Sequence, residues 1–323
     1  MEMLYQRDVY GQTLIELGKK DSNIVVLDAD LSGSTRTCLF AKEFKDRFVN
    51  FGVAEQNMVA ASAGLASCGK IVFLSTFAIF ATGRAWDQVR NTAAYNNFNI
   101  KIVATHAGVS VGPDGASHQA LEDIALMRIV PTMKIIVPAD GPQAREAVIA
   151  AYNTPGPVYV RLGRPKVPTI TAGYAFEFGK AQMLAPGNDL TIIACGIMVK
   201  SALEASGRLK EKGLNCRVIN MHTVKPIDSQ AIIEAARETK GIVVCEEHTV
   251  MGGLASAVDE VVAENSPTKV IRIGVKNRYG QSGEPDELIK EYGLSVEDII
   301  SACGKIMTND KIPACSAGRQ NTK

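Results

Sequence analysis

The stretch that decides the fold runs from Phe48 to Phe80, FVNFGVAEQNMVAASAGLASCGKIVFLSTFAIF. Within it, Glu55 to Ala66 has the spacing of an amphipathic helix, and Ile71 to Leu74 is a compact apolar run that reads as a buried strand. Helix followed by buried strand is the repeating unit of a parallel sheet. The same alternation extends in both directions. Ile24 to Leu27, Ile102 to Ala104, Ile135 to Val137 and Val158 to Val160 are further candidate strands, and Asp8 to Lys19, Ala85 to Asn96 and Pro142 to Tyr152 are candidate helices. The expected fold class is α/β, a mostly parallel sheet covered by helices on both faces.

From Arg164 to Asn188 the pattern lapses into Pro165, Pro168, Gly173, Gly179, Pro186 and Gly187, as a connection between domains would. A second α/β series follows, with strands near Leu190 to Ala194, Cys216 to Ile219, Ile242 to Cys245 and Val270 to Ile273. The expected layout is a first domain over residues 1–165, a linker over 166–188, a smaller α/β domain over 189–305 and a frayed, polar tail over 306–323. Two domains suit a chain of 323 residues that is 46% hydrophobic.

Charge excludes several classes of partner. Thirty-five basic against 34 acidic residues leave a net charge of +1, and no long single-sign block marks a nucleic-acid or anionic-membrane surface. The seven cysteines are scattered, odd in number and without a CxxC pair, a poor basis for a disulfide framework or a metal site. No run approaches the ~20 apolar residues needed to cross a bilayer, and Met1 to Tyr10 has no signal-like core. A reduced, cytoplasmic protein is the expectation.

In open parallel sheets, ligands sit beyond the carboxyl ends of the strands. The unusual residues fall there: Asp28 and Asp30 after the first strand, Glu55 after FVNFGVA, Thr76, Phe77 and Phe80 after IVFL, His106 after KIVAT, and Asp114 and His118 in AGVSVGPDGASHQ. An acid, two histidines and an aromatic wall on one rim suggest a pocket. Each has a plainer reading. Glu55 at a helix start equally suits capping, Phe77 and Phe80 suit a core, the two histidines could be satisfied structural groups, and Asp114 before Gly115 suits a turn. The loop is more telling, because Gly108, Gly112 and Gly115 allow tight backbone around a ligand.

Taken together, FGVAEQNMVAASAGLA, STFAIFATGRAWDQVRN, THAGVSVGPDGASHQALEDIALMRIVPTMKIIVPAD, INMHTVKPID and EEHTVMGGLASAV resemble the transketolase family, in order, over roughly residues 5 to 300. The resemblance is to the pyrimidine-binding and carboxy-terminal domains. It implies that Glu55 hydrogen-bonds N1′ of the thiamine diphosphate pyrimidine, that Phe77 and Phe80 pack around that ring, and that Asp30 lies near the cofactor, with Asp28 structural. It implies His118 near the sugar C1 hydroxyl and reactive carbonyl, and Asp114 on the C2 hydroxyl. Arg7, Ser34, His106 and Arg164 correspond to residues that grip a substrate phosphate, although RLGRP leaves Arg161 and Arg164 interchangeable. Gly83 stands where some relatives carry a further aromatic, and Trp86 reads as a packing residue. HTVKPID and the Glu246, Glu247, His248 run resemble the carboxy-terminal domain and are expected to serve folding and subunit contacts.

The family's amino-terminal domain carries a GDG-type motif that holds a divalent cation and, through it, the diphosphate; no such motif with a downstream asparagine occurs here. No metal ligand is therefore assigned to this chain. The expectation is a separate amino-terminal subunit that holds magnesium or calcium, two of each chain forming a heterotetramer, and ketol transfer between sugar phosphates. The competing readings are the β subunit of a 2-oxoacid dehydrogenase E1 component, a deoxyxylulose-phosphate synthase half, and a non-catalytic paralogue.

Overall fold

Fourteen strands are assigned among residues 2–308, which the computed structural model describes. They are β1 (Met3–Tyr5), β2 (Ile24–Asp28), β3 (Phe48–Asn50), β4 (Ile71–Ser75), β5 (Ile100–Ala104), β6 (Lys134–Ile136), β7 (Val158–Arg161), β8 (Lys166–Pro168), β9 (Gln182–Ala185), β10 (Leu190–Ala194), β11 (Cys216–Asn220), β12 (Thr223–Lys225), β13 (Ile242–Thr249) and β14 (Val270–Val275). The expected mixed α/β architecture is present, with two main sheets.

The first sheet has the order β12-β6-β7-β5-β4-β2-β3 and is parallel except for the β12 edge. Its strands alternate between two cores, as a pleat with a period of two requires. Leu27, Leu74, Ile100 and Ile102 face one side with Met58 and Val59 of the helix Glu55–Ser67. Val26, Phe73, Val103 and Val160 face the other with Tyr10 and Leu14 of Gln6–Lys20 and Ala147 and Val148 of Gly141–Asn153. Strands buried on both faces explain the unbroken apolar runs in the sequence. The second sheet, β14-β13-β10-β11-β9, is parallel apart from β9.

Four features depart from the sequence expectation. The segment expected as a linker carries β8, antiparallel to β1, and β9, an edge strand of the second sheet. Its prolines and glycines punctuate these short strands rather than abolish them. Secondly, β12 leaves the second half of the chain and pairs with β6 in the first sheet, and the first core is continuous with Ile193, Ile219, Val244 and Leu254 from the second half. Thirdly, the stretch from Phe80 is not a regular α-helix: Phe80–Arg84 and Gln88–Ala94 are π-helical, with Ala85 N–H on Phe80 O and Tyr95 N–H on Arg90 O. Such wide turns accommodate an extra residue and commonly sit beside functional sites. The frayed tail was expected from residue 306, but the last helix, Val296–Thr308, continues through it because Ile299, Ala302, Cys303 and Ile306 form its buried stripe. Residues 309–323 lie outside the described residues.

Candidate active site

The topology makes a crevice where chain direction reverses. From β2 the chain steps outward to β3 and returns to β4 on the other side, so the carboxyl ends of β2 and β4 flank a topological switch point. The β4–β5 pairing continues just past the ends of both strands as a Phe77 to Thr105 bridge. This sets Phe77 flat against His106, with ring centroids 3.8 Å apart and planes at 21°.

Glu55 is 2% exposed at the start of its helix. No side-chain cap is made there. Its carboxylate instead receives Arg84 Nη1, at 2.8 Å to Oε1 and 2.9 Å to Oε2. The Arg84 guanidinium also lies 4.5 Å from the Phe80 ring centroid. The Phe80 ring is nearly parallel to that of Phe77, stacked at 6.0 Å and 15°, and meets His118 edge-on at 5.3 Å. A continuous line of contacts thus runs from Glu55 through Arg84, Phe80 and Phe77 to His106, with His118 at its side. Sequence reasoning missed Arg84, although a cation in the π-helical turn beside the two phenylalanines was the available signal.

His106 sits at a φ of +59°, unusual for a side chain with a Cβ. Burial first, then the charges of Arg7 and Arg164, push its pKa down to about 3, so it is neutral under ordinary conditions. Arginine has donors only. The 3.4 Å contact from Arg7 Nη1 therefore makes His106 Nε2 an acceptor and assigns the ring proton to Nδ1, 2.8 Å from Thr105 Oγ1. Arg7 Nη1 also reaches Ser34 O at 3.4 Å. Burial, then the nearby Arg36 charge, lowers the Arg7 pKa, and Arg164 adds to this. Arg7, Ser34, His106 and Arg164 are thus one cationic group. The Arg161 and Arg164 ambiguity resolves by burial: Arg161 is committed to Asp123 at 2.7 and 3.2 Å, while Arg164 faces the cluster and holds Val111 O at 2.5 Å.

Asp28 is fully buried and receives Leu31 N–H, Thr35 Oγ1 and Thr37 Oγ1 at 2.6, 2.7 and 2.8 Å, a structural assignment. Asp30 is exposed beside it at a φ of +64°, paired with Asn50 at 3.0 and 3.1 Å. Asp114 is exposed on the glycine-rich loop. Neither aspartate joins the line of contacts from Glu55 to Arg7. Trp86 packs partly buried against the first core and donates to Leu126 O.

Two buried polar atoms on this rim, Arg7 Nε and Thr76 Oγ1, have no hydrogen-bond partner, as expected where a polar ligand completes a site. Arg84 itself demonstrates a second fit: a flat nitrogenous group can donate to Glu55 while lying on Phe80. Among the described residues, no group of three or more His, Cys, Asp or Glu side chains is placed to hold a metal ion, and no helix is long and apolar enough to cross a membrane.

The fold and rim define a two-module α/β protein with a candidate ligand site on the first module. Models of the transketolase pyrimidine binding domain and the transketolase C-terminal domain match residues 2–169 and 179–299, and the chain belongs to the transketolase family. It is 52% identical over 297 residues to a putative transketolase C-terminal section of Methanocaldococcus jannaschii, covering 91% of this chain and 93% of that one. It is 39% identical to human transketolase over 94% of this chain but only 49% of the human protein. A solved structure described as a split gene transketolase, inactive β4 tetramer, superposes with a TM-score of 0.88 and 48% identity over 94% of this chain and 99% of that one.

Proposed function

We propose that this chain is the carboxy-terminal subunit of a thiamine-diphosphate-dependent transketolase, completed by a separate amino-terminal subunit, that moves a two-carbon ketol unit from a ketose phosphate to an aldose phosphate. The observation that carries the reading is the line of contacts joining Glu55, the Phe77 and Phe80 wall and the Arg7 cluster on one rim.

Thiamine diphosphate, when bound, supplies the electron sink for the transferred fragment. Glu55 would hold the pyrimidine N1′ edge of the cofactor with a dry carboxylate and so bias the ring's protonation. For this, Arg84 must swing aside, which its 47% side-chain exposure permits. Phe77 and Phe80 form the flat apolar wall, and Asp30 borders the cofactor. His118 moves protons at the substrate's C1 hydroxyl and carbonyl, and Asp114 orients the C2 hydroxyl. Arg7 and Arg164 grip the terminal phosphate with Ser34. His106 contributes as a neutral acceptor that aims Arg7.

We assign the diphosphate and its magnesium or calcium ion to the amino-terminal subunit, and two copies of each chain to the working assembly. Support comes from a relative described as a C-terminal section, from the half-length match to human transketolase, and from a split relative described as inactive in its β4 form. The test is co-purification with the amino-terminal subunit, then assay of transfer from xylulose 5-phosphate to ribose 5-phosphate with thiamine diphosphate and magnesium. Transfer by the assembly and none by this chain alone is expected. Turnover that requires pyruvate, or full transfer by the single chain, would overturn the reading.

A further inference from the structure

We propose that Glu247, on β13 of the second sheet, is a positioning residue that holds the loop carrying Asp114 and His118 in its working conformation. The inference rests on the transketolase reading for its catalytic consequence, and on geometry alone for the contact.

Glu247 is 3% exposed, and its Oε1 accepts the Ser110 N–H at 2.6 Å. The approach is built into the backbone. Gly108 has a φ of +84°, and a Cβ there would stand 2.2 Å from Glu247 Cδ, so only glycine admits the carboxylate beneath the loop. Gln119 Nε2 ties Val109 O at 3.1 Å and Gln281 O at 2.9 Å, and Arg164 ties Val111 O. The loop is thus clasped along its length, and Glu247 is the member of the clasp that titrates.

The charged neighbours decide where it titrates. From β7, Arg161 donates to Glu247 O at 2.9 Å, but its charge is committed to Asp123 of the helix Asp123–Arg128. On β13 itself, Glu246 turns away to receive Leu254 and Ala255 N–H at 2.7 and 2.9 Å. His248 accepts Ala125 N–H through Nε2, bonds Thr249 O through Nδ1 and lies 3.7 Å from Glu246 Oε2. Burial then raises the Glu247 carboxyl to about 7, against the opposing pull of Arg161 and the Ser110 bond. Its ionised form makes the stronger bond to Ser110, so the grip on the loop tightens through neutral pH. The fold bears the cost of that charge. A folded pKa above the unfolded one means that stability is full below the ordinary carboxyl range and declines as pH rises from there through about 7.

Two variants of the full chain, alone and in the assembled enzyme, test this. Glu247→Gln keeps an acceptor for Ser110 N–H but cannot ionise, so its melting temperature should gain on the native chain steadily between pH 5 and 8. Its kcat should stay within roughly threefold of native, without the native rise centred near pH 7. Glu247→Ala removes the acceptor, and amide exchange at Ser110 should accelerate while kcat falls on the order of tenfold or more with KM less affected. The positioning role is overturned if the Gln and native melting curves run parallel in pH, if Gln loses as much activity as Ala, or if Ser110 exchange is unchanged in Ala. Should Ala not fold, the pH difference between Gln and native still decides. Should the native assembly show no ketol transfer, the functional reading fails, whereas the exchange and melting results still judge the contact.

Discussion

At the scale of single residues, Arg84 and a flat ligand compete for Glu55. The guanidinium satisfies both oxygens of the only carboxylate on the aromatic wall, among the described residues, and covers the Phe80 face, so a flat ligand must displace it. A competing closed state reduces apparent affinity by the fraction it occupies. Arg84→Met should therefore tighten thiamine diphosphate binding by the assembled enzyme roughly threefold to tenfold, as measured by calorimetric titration; weaker binding would mean that Arg84 belongs to the bound site. Glu55→Gln should lower kcat by about 100-fold or more while the variant still melts as a folded protein. His106 makes the complementary point. With its pKa near 3, it adds no charge to the cationic cluster, which depends on Arg7 and Arg164.

Elements are joined by buried polar groups as much as by apolar faces. Asp140 caps the helix Gly141–Asn153 by accepting Gln143 N–H at 3.0 Å. It also receives Ile170 N–H, Thr171 N–H and Thr171 Oγ1 at 2.6, 2.7 and 2.6 Å. One fully buried carboxylate thus ties the first sheet's helix to the segment between β8 and β9. Asp140→Ala would lose a cap and strand several donors, so a loss on the order of 3 kcal/mol is expected from urea unfolding. A change below about 1 kcal/mol would mean that water replaces the carboxylate there. The π-helical turns belong to this scale too: helical spacing over Ala85 to Asn96 was legible, but the choice of i→i+5 bonding was not, because π segments of 5 and 7 residues are too short to establish an apolar period of their own.

Across the whole molecule, one core runs from Leu27 and Ile102 of the first sheet to Val244 and Leu254 of the second half, and β12 crosses back to pair with β6. The buried Asp123 and Arg161 pair lies at the same seam, with Arg161 reaching Glu247 O. Two modules that share a core should unfold together. A single calorimetric transition, with van't Hoff and calorimetric enthalpies in agreement, is expected for the chain; two resolved transitions would show that the seam contributes little. The sequence by itself determined the α/β class, the positions of the main strands and the rim on which Glu55, Phe77, His106 and His118 fall, because periodicity and motif order are local properties of the chain. Only the tertiary structure decided which arginine faces the cluster, that Arg84 covers Glu55, and that Glu247 reaches beneath the Gly108 loop. Those choices depend on burial and on partners distant in the chain, from 29 residues for Arg84 to 137 for Glu247, and no local pattern encodes such separations.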